Sequence, residues 1–155
     1  MKPEPLPPPT SDLPEAIVGI WRLLSREDYD GGGRRLIDPL LGAAPLGMVS
    51  FARERFAAQF TNRRRSSTVE PGPVPPGTNN TSAVNGYDAY FGTYRADAGA
   101  GTIKVRLEGA LSPENVGLEA TRDVRVIGDR LLIRLATTAA DGTPITRTLT
   151  FERLT

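Results

Sequence analysis

The chain of 155 residues contains neither cysteine nor histidine. Without cysteine there is no disulfide, no thiolate nucleophile and no sulfur ligand for a metal. Without histidine the commonest metal ligand is missing, together with the usual general base near neutral pH and any Ser–His pair. These two absences disfavour hydrolytic and metal-dependent chemistry. They also leave a haem without an axial histidine, for which Met48 alone is a poor replacement. Lysine occurs only at positions 2 and 104. The formal net charge is +1, so no global field draws the chain to nucleic acid or to an anionic membrane. No apolar run approaches the roughly 20 residues of a membrane span. The opening MKPEPLPPPTSDLP has no apolar core of the signal-peptide kind, and a soluble cytoplasmic protein is the expectation.

The length suits one domain. Residues 1–10 are Pro-rich and read as a flexible tail, and residues 11–155 as the folded domain. Ser11-Asp12-Leu13-Pro14-Glu15 carries capping residues and an early proline, which suits one short helical turn. Beyond it the apolar period is two. Strands are expected from Trp21 to the Asp30-Gly31-Gly32-Gly33 turn, over 47–51 and 56–61 around a turn at 52–55, and over 91–95. Ile103-Lys104-Val105-Arg106-Leu107-Glu108 alternates cleanly between apolar and charged. Residues 123–126 and 131–135 flank a Gly128-Asp129 turn, Asp141-Gly142 marks another, and 146–153 closes the chain. About eight short strands at this spacing indicate a closed antiparallel barrel or a sandwich. The stretch Asn62–Gly86 lacks an apolar pattern and is expected to form a long lid loop. Its Arg63-Arg64-Arg65 run lacks interleaved aromatics, so it reads as a solvated loop rather than a nucleic-acid site. On a lid it could also attract an anionic ligand to the mouth.

Several short stretches carry a family likeness. VGIWRLLS, residues 18–25, places the only tryptophan two residues after a glycine. It resembles the Gly-x-Trp signature that opens the first strand of lipocalins and related calycins. The last strand ends Phe151-Glu152-Arg153, which resembles the other half of that signature, a basic residue stacked on the tryptophan. GIWRLLS, PLGMVSF, YDAYFGTY, LEGALSPENVG and VIGDRLLI follow in order over residues 17–154. Together they resemble landmarks of the bacterial and fungal lipocalin-like domain family. The resemblance implies an eight-stranded antiparallel up-and-down β-barrel around a ligand-sized cavity, a size at which one small ligand fits inside. It makes Trp21 and Arg153 a structural pair at the closed end, joined by a cation–π contact worth about 0.5–2 kcal/mol. Many relatives carry one or two histidines just before the Glu-Gly pair. Here Val105 and Arg106 stand in that strand, so any role those histidines serve is missing.

Within such a barrel, parity selects the side chains that face inward. Tyr90, Gly92 and Tyr94 share a face opposite Arg95, and Leu149 and Phe151 share the face of Arg153. The expected ligand-binding set is Leu23, Ser25, Met48, Phe60, Tyr90, Tyr94, Val105, Arg122, Val124, Ile133 and Phe151, a mostly apolar wall with a few polar groups. Arg122 facing inward would need a carboxylate or an anionic ligand, unless it snorkels to solvent. Tyr90, Tyr94, Arg122 and Glu27 are the candidates for any catalytic role, Glu27 because it shares parity with Trp21. The tyrosines could hydrogen-bond a ligand or simply pack. Glu108, Lys104 and Arg106 are expected on the outer face as a charge ladder, and Asn115 in a turn.

Two functions fit these features. One is a barrel that binds a hydrophobic small molecule. The other is a cofactor-free cyclase or isomerase that folds a hydrophobic, polyketide-like substrate of secondary metabolism by positioning and mild polarisation. An interaction module acting through the Pro-rich tail is a third, weaker fit. No cofactor or metal is implied, and a homodimer is left open.

Overall fold

The computed structural model of the protein describes residues 3–65 and 83–155. Of the stretch expected to form a lid, residues 66–82 lie outside the described residues.

Period-two burial along the chain builds nine strands: β1 (Gly19–Asp30), β2 (Arg35–Leu36), β3 (Leu46–Ala52), β4 (Arg55–Thr61), β5 (Tyr87–Asp97), β6 (Thr102–Ala110), β7 (Glu119–Ile127), β8 (Arg130–Thr138) and β9 (Pro144–Arg153). A helical turn, α1 (Leu13–Ala16), precedes them, and a 3₁₀ turn at Pro113–Asn115 joins β6 to β7. From β3 onward each strand pairs antiparallel with the next, and β1 pairs with both β3 and β9. The result is a closed antiparallel barrel of eight strands. β2 is an extra strand that adds only to the far end of β1, through Asp28↔Leu36 and Tyr29↔Arg35. Arg53 and Glu54 turn β3 into β4, with Glu54 at φ 63°.

Two irregularities shape the wall. On β1 the register against β9 runs Leu23↔Phe151 and then Ser25↔Thr150, so Leu24 is an extra residue in the ladder. This bulge resets the alternation. Trp21 and Leu23 face inward before it; Arg26 and Asp28 face inward after it. The second irregularity lies between Phe91 and Gly92 on β5. There a Cβ on Gly92 would stand 1.9 Å from the Arg106 carbonyl oxygen, so only glycine fits.

The two ends of the barrel are closed differently. At one end Leu13 and Ile17, both 0% exposed, lie under α1 against Trp21. Trp21 Nε1 donates to the Ile17 carbonyl at 2.9 Å. The Arg153 guanidinium lies 4.1 Å from the Trp21 ring centroid and donates to the carbonyls of Ala16 and Val18. The opposite end is capped by the β2–β3 segment and the ends of the β4–β5 connection. Leu41 and Ala83 from these two segments are buried there, and Asn62 Nδ2 donates to the Leu40 carbonyl at 2.9 Å. The Pro-rich segment does not trail free. The Pro7 carbonyl accepts from Arg125 Nε at 2.6 Å, and Thr10 Oγ1 accepts from the Val126 amide at 2.9 Å.

Truncation of Trp21 to alanine leaves a void at the closed end and removes the platform for Arg153. A loss of about 3–5 kcal/mol of unfolding free energy is expected. Urea denaturation followed by far-UV circular dichroism measures it.

Candidate functional site

A cavity of about 50 Å³ lies inside the barrel. β3, β4, β6 and β8 present only apolar side chains to it, among them Phe51, Phe56, Phe60, Val105 and Ile133. The polar groups come from β1, β5, β7 and β9: Arg26, Asp88, Tyr90, Arg122 and Arg147. Pockets that enclose drug-sized ligands run to roughly 300–1,000 Å³, so this space is far below that range.

The charged groups are organised across the β1–β9 seam. Asp28 and Arg147 are direct cross-strand partners. Arg147 Nε donates to Asp28 Oδ1 at 2.8 Å and Nη2 to Oδ2 at 3.0 Å, a bidentate pair in the barrel interior. Arg26 Nη2 donates to Asp38 Oδ2 at 2.8 Å and lies 3.8 Å from Asp28 Oδ2. Asp38 Oδ1 in turn accepts from the amides of Leu40 and Leu41. The same carboxylate therefore holds both the arginine and the capping segment. Among the described residues, the buried Arg26 Nε has no hydrogen-bond partner. Burial lowers the pKa of Arg26, with Arg147 adding to the effect and Asp38 and Asp28 opposing it. Burial also lowers that of Arg122.

Asp88, 5% exposed, is the group whose charge is most finely balanced. Burial pushes its pKa from the ordinary 3.8 to about 7, against the pull of Arg26, the Ala89 amide and Arg147, with Asp38 adding to the rise. Near neutral pH it is present in both protonation states. Burial and the neighbouring Asp88 push the Tyr90 hydroxyl well above the usual phenol value, so it stays protonated.

Phe60, Tyr90, Val105, Arg122, Ile133 and Phe151 line this cavity as the pattern of alternation placed them. The other expected ligand residues sit elsewhere. Leu23 and Val124 are buried in the core, outside the cavity wall. Tyr94 also packs in the core: it meets Phe51 edge-on at 5.1 Å, and its hydroxyl donates to the Ala52 carbonyl at 2.7 Å. Met48 is 43% exposed on the outer face, because Val49 and Phe51 take the inward positions of β3. Ser25 and Glu27 are displaced by the bulge at Leu24. Glu27 points outward, accepts from the Tyr29 hydroxyl at 2.8 Å and borders a groove beside Pro3–Pro7. Lys104 and Arg106 form an outer ladder with Glu119, and Arg55 pairs with Glu108. Asn115 is in the 3₁₀ turn.

A family model, the lipocalin-like domain, matches residues 18–154. The chain belongs to the lipocalin-like domain family. The match covers the whole barrel from the first residues before β1 to the end of β9. No curated protein shows a significant match to this chain. Among the described residues of this lipocalin-like domain, no helix is long and apolar enough to cross a membrane, and no cluster of three or more acidic side chains is arranged to hold a metal ion.

Two outcomes follow from the buried charges. Arg147→Met leaves Asp28 buried without its fork and is expected to cost about 3–5 kcal/mol in urea unfolding. The raised pKa of Asp88 makes folding take up a proton, so its contribution to stability is full at low pH and declines as pH rises from about 4 to about 7. The slope is at most roughly 1.4 kcal/mol per pH unit. Asp88→Asn is expected to remove this decline and to be relatively more stable than the parent at pH 8. Unfolding curves of both proteins across this range check the sign.

Proposed function

We propose that this lipocalin-like barrel binds a compact, largely apolar small molecule in its capped cavity. The observation that carries the reading is the wall itself. Four of the eight barrel strands give it only apolar side chains, while the polar groups are gathered along the remaining strands. An enclosed apolar site with a few fixed polar groups favours a ligand of matching polarity.

A second reading has one observation in its favour. Asp88, Tyr90 and three guanidiniums line the same apolar space. A carboxyl group poised near neutrality can give and take a proton, and guanidiniums stabilise a developing oxyanion. That combination suits a cofactor-free isomerase or cyclase acting on the bound molecule.

Native mass spectrometry of the protein purified from its own host, followed by extraction of anything bound, tests the first reading. A co-purifying apolar molecule near one per chain is the expected result. An empty protein, with no thermal shift across a library of small apolar compounds, overturns it. Incubating the identified ligand, or its immediate precursor, with parent and Asp88→Asn proteins then separates the two readings. Conversion by the parent alone, with binding kept in both, marks an enzyme.

A further inference from the structure

The formal net charge is only +1, but the charge is unevenly placed. Four arginines, Arg35, Arg63, Arg64 and Arg65, collect at the capped end, and all four are exposed. Local bonding holds them there. Asn62 fixes the turn that carries the run: its Nδ2 donates to the Leu40 carbonyl, and its Oδ1 accepts from the Arg64 amide at 2.9 Å. Arg35 Nη2 and Arg63 Nε donate to the consecutive carbonyls of Ala43 and Ala44, at 3.3 and 3.1 Å. Arg65 Nε donates to the Asn85 carbonyl at 2.8 Å, and its guanidinium lies 5.3 Å from the centre of the Tyr87 ring. All these acceptors are neutral. Among the described residues, none of the four arginines forms an ion pair. Asp38, the carboxylate of the capping segment, is turned to Arg26. Residues 66–82 include one acidic residue, Glu70, and no basic one. Without these four arginines the chain would be net acidic.

Apolar side chains stand in the same lip. Leu46 opens β3 directly after the Ala43–Ala44 carbonyls, and it pairs with Thr61, which pairs in turn with Tyr87. Leu46 is 45% exposed, Met48 43%, and Ile37, two residues after Arg35, 51%. An open groove of about 250 Å³ runs between Leu46, Met48 and Tyr87. Phe60 lines both that groove and the cavity.

We propose that this lip is a docking surface for an anionic phospholipid bilayer, with the arginines among the headgroups and Ile37, Leu46 and Met48 at the boundary of the acyl chains. Such docking goes beyond the cavity reading and holds whether or not the cavity is filled. Each arginine close to an anionic surface raises partition about fivefold, so four together give roughly 10²–10³. The apolar side chains add a part that salt does not screen. A nucleic-acid backbone would engage the charges alone. The exposed leucine, methionine and isoleucine gain nothing from it, and a face of Tyr87 is already taken by Arg65. Docked in this way, the barrel turns its capped end to the bilayer and its Trp21 plug to water.

Sedimentation of the full chain with sucrose-loaded vesicles tests the surface. One set is phosphatidylcholine alone and the other a two-to-one mixture of phosphatidylcholine and phosphatidylglycerol. In about 0.05 M salt the parent is expected to bind the mixed vesicles at least about tenfold more tightly than phosphatidylcholine. Arg64→Gln is expected to weaken that binding about fivefold, and Arg63→Gln with Arg64→Gln about 25-fold. Leu46→Asn with Met48→Ser is expected to weaken it about fivefold, a loss that persists in about 0.5 M salt, where the arginines are screened. Arg95→Gln removes an exposed arginine from the half of β5 toward the plugged end and is expected to leave binding unchanged. Equal binding to both vesicle types overturns the docking surface. A loss from Arg95→Gln as large as that from Arg64→Gln shows attraction to the whole chain and removes the lip as the site. If poly-glutamate or single-stranded RNA binds the parent as tightly as the mixed vesicles do, the partner is a soluble polyanion and the bilayer is ruled out. If the Leu46 and Met48 variant does not fold, that comparison on the parent still decides.

Discussion

The closure of β1 onto β9 sets the terms for everything inside this barrel. The pairing runs from Trp21↔Arg153 to Asp30↔Ile145 and accommodates one extra residue, Leu24. That single insertion divides β1 into two halves of opposite parity. The first half turns Trp21 inward and ends the barrel with a dry plug. The second half turns Arg26 and Asp28 inward, directly across from Arg147. Without the bulge, Ser25 and Glu27 would hold those positions and the seam would carry no arginine from β1.

The interior consequently has two regions of different character. Toward α1 it is a hydrocarbon core sealed by Trp21, Leu13 and Ile17. Toward the other end it is a charged lattice in which Asp38 links Arg26 to the capping segment. Buried ion pairs of this kind are a weak source of stability compared with apolar packing of the same volume. Their presence is better understood as a constraint on geometry. Arg147 is fixed by two hydrogen bonds to one carboxylate, and the capping segment is fixed by the carboxylate that also holds Arg26. Asp38 thus ties the capping segment to a seam arginine that lines the cavity.

Much of the fold was legible because alternation, turn residues and the ends of the chain agree. Ile103–Glu108 alternates without interruption, and its charged side chains form the outer ladder as read. Trp21 and Arg153 meet as the family likeness implied. The site was harder to read for two reasons. A bulge leaves no mark in a run such as Leu23-Leu24-Ser25-Arg26, since register is set by the partner strand and not by the run itself. The other reason is charge: burying an aspartate or arginine is costly unless it is paired, and its partner strand is not visible in the local sequence. Asp88 lies two residues before Tyr90, and Arg147 two before Leu149. Both were one step along faces correctly identified as inward. Met48 failed in the opposite sense, because Val49 and Phe51 are the larger claim on the interior of β3.

The position of the lone tryptophan has an optical consequence. Trp21 is pressed under a guanidinium at the plugged end, outside the wall of the cavity. Its emission is a report on whether the barrel is closed, read from a ring shielded from water and held in one setting. Tryptophan light therefore follows the integrity of the plugged end, whereas Tyr90 is a chromophore in the cavity wall.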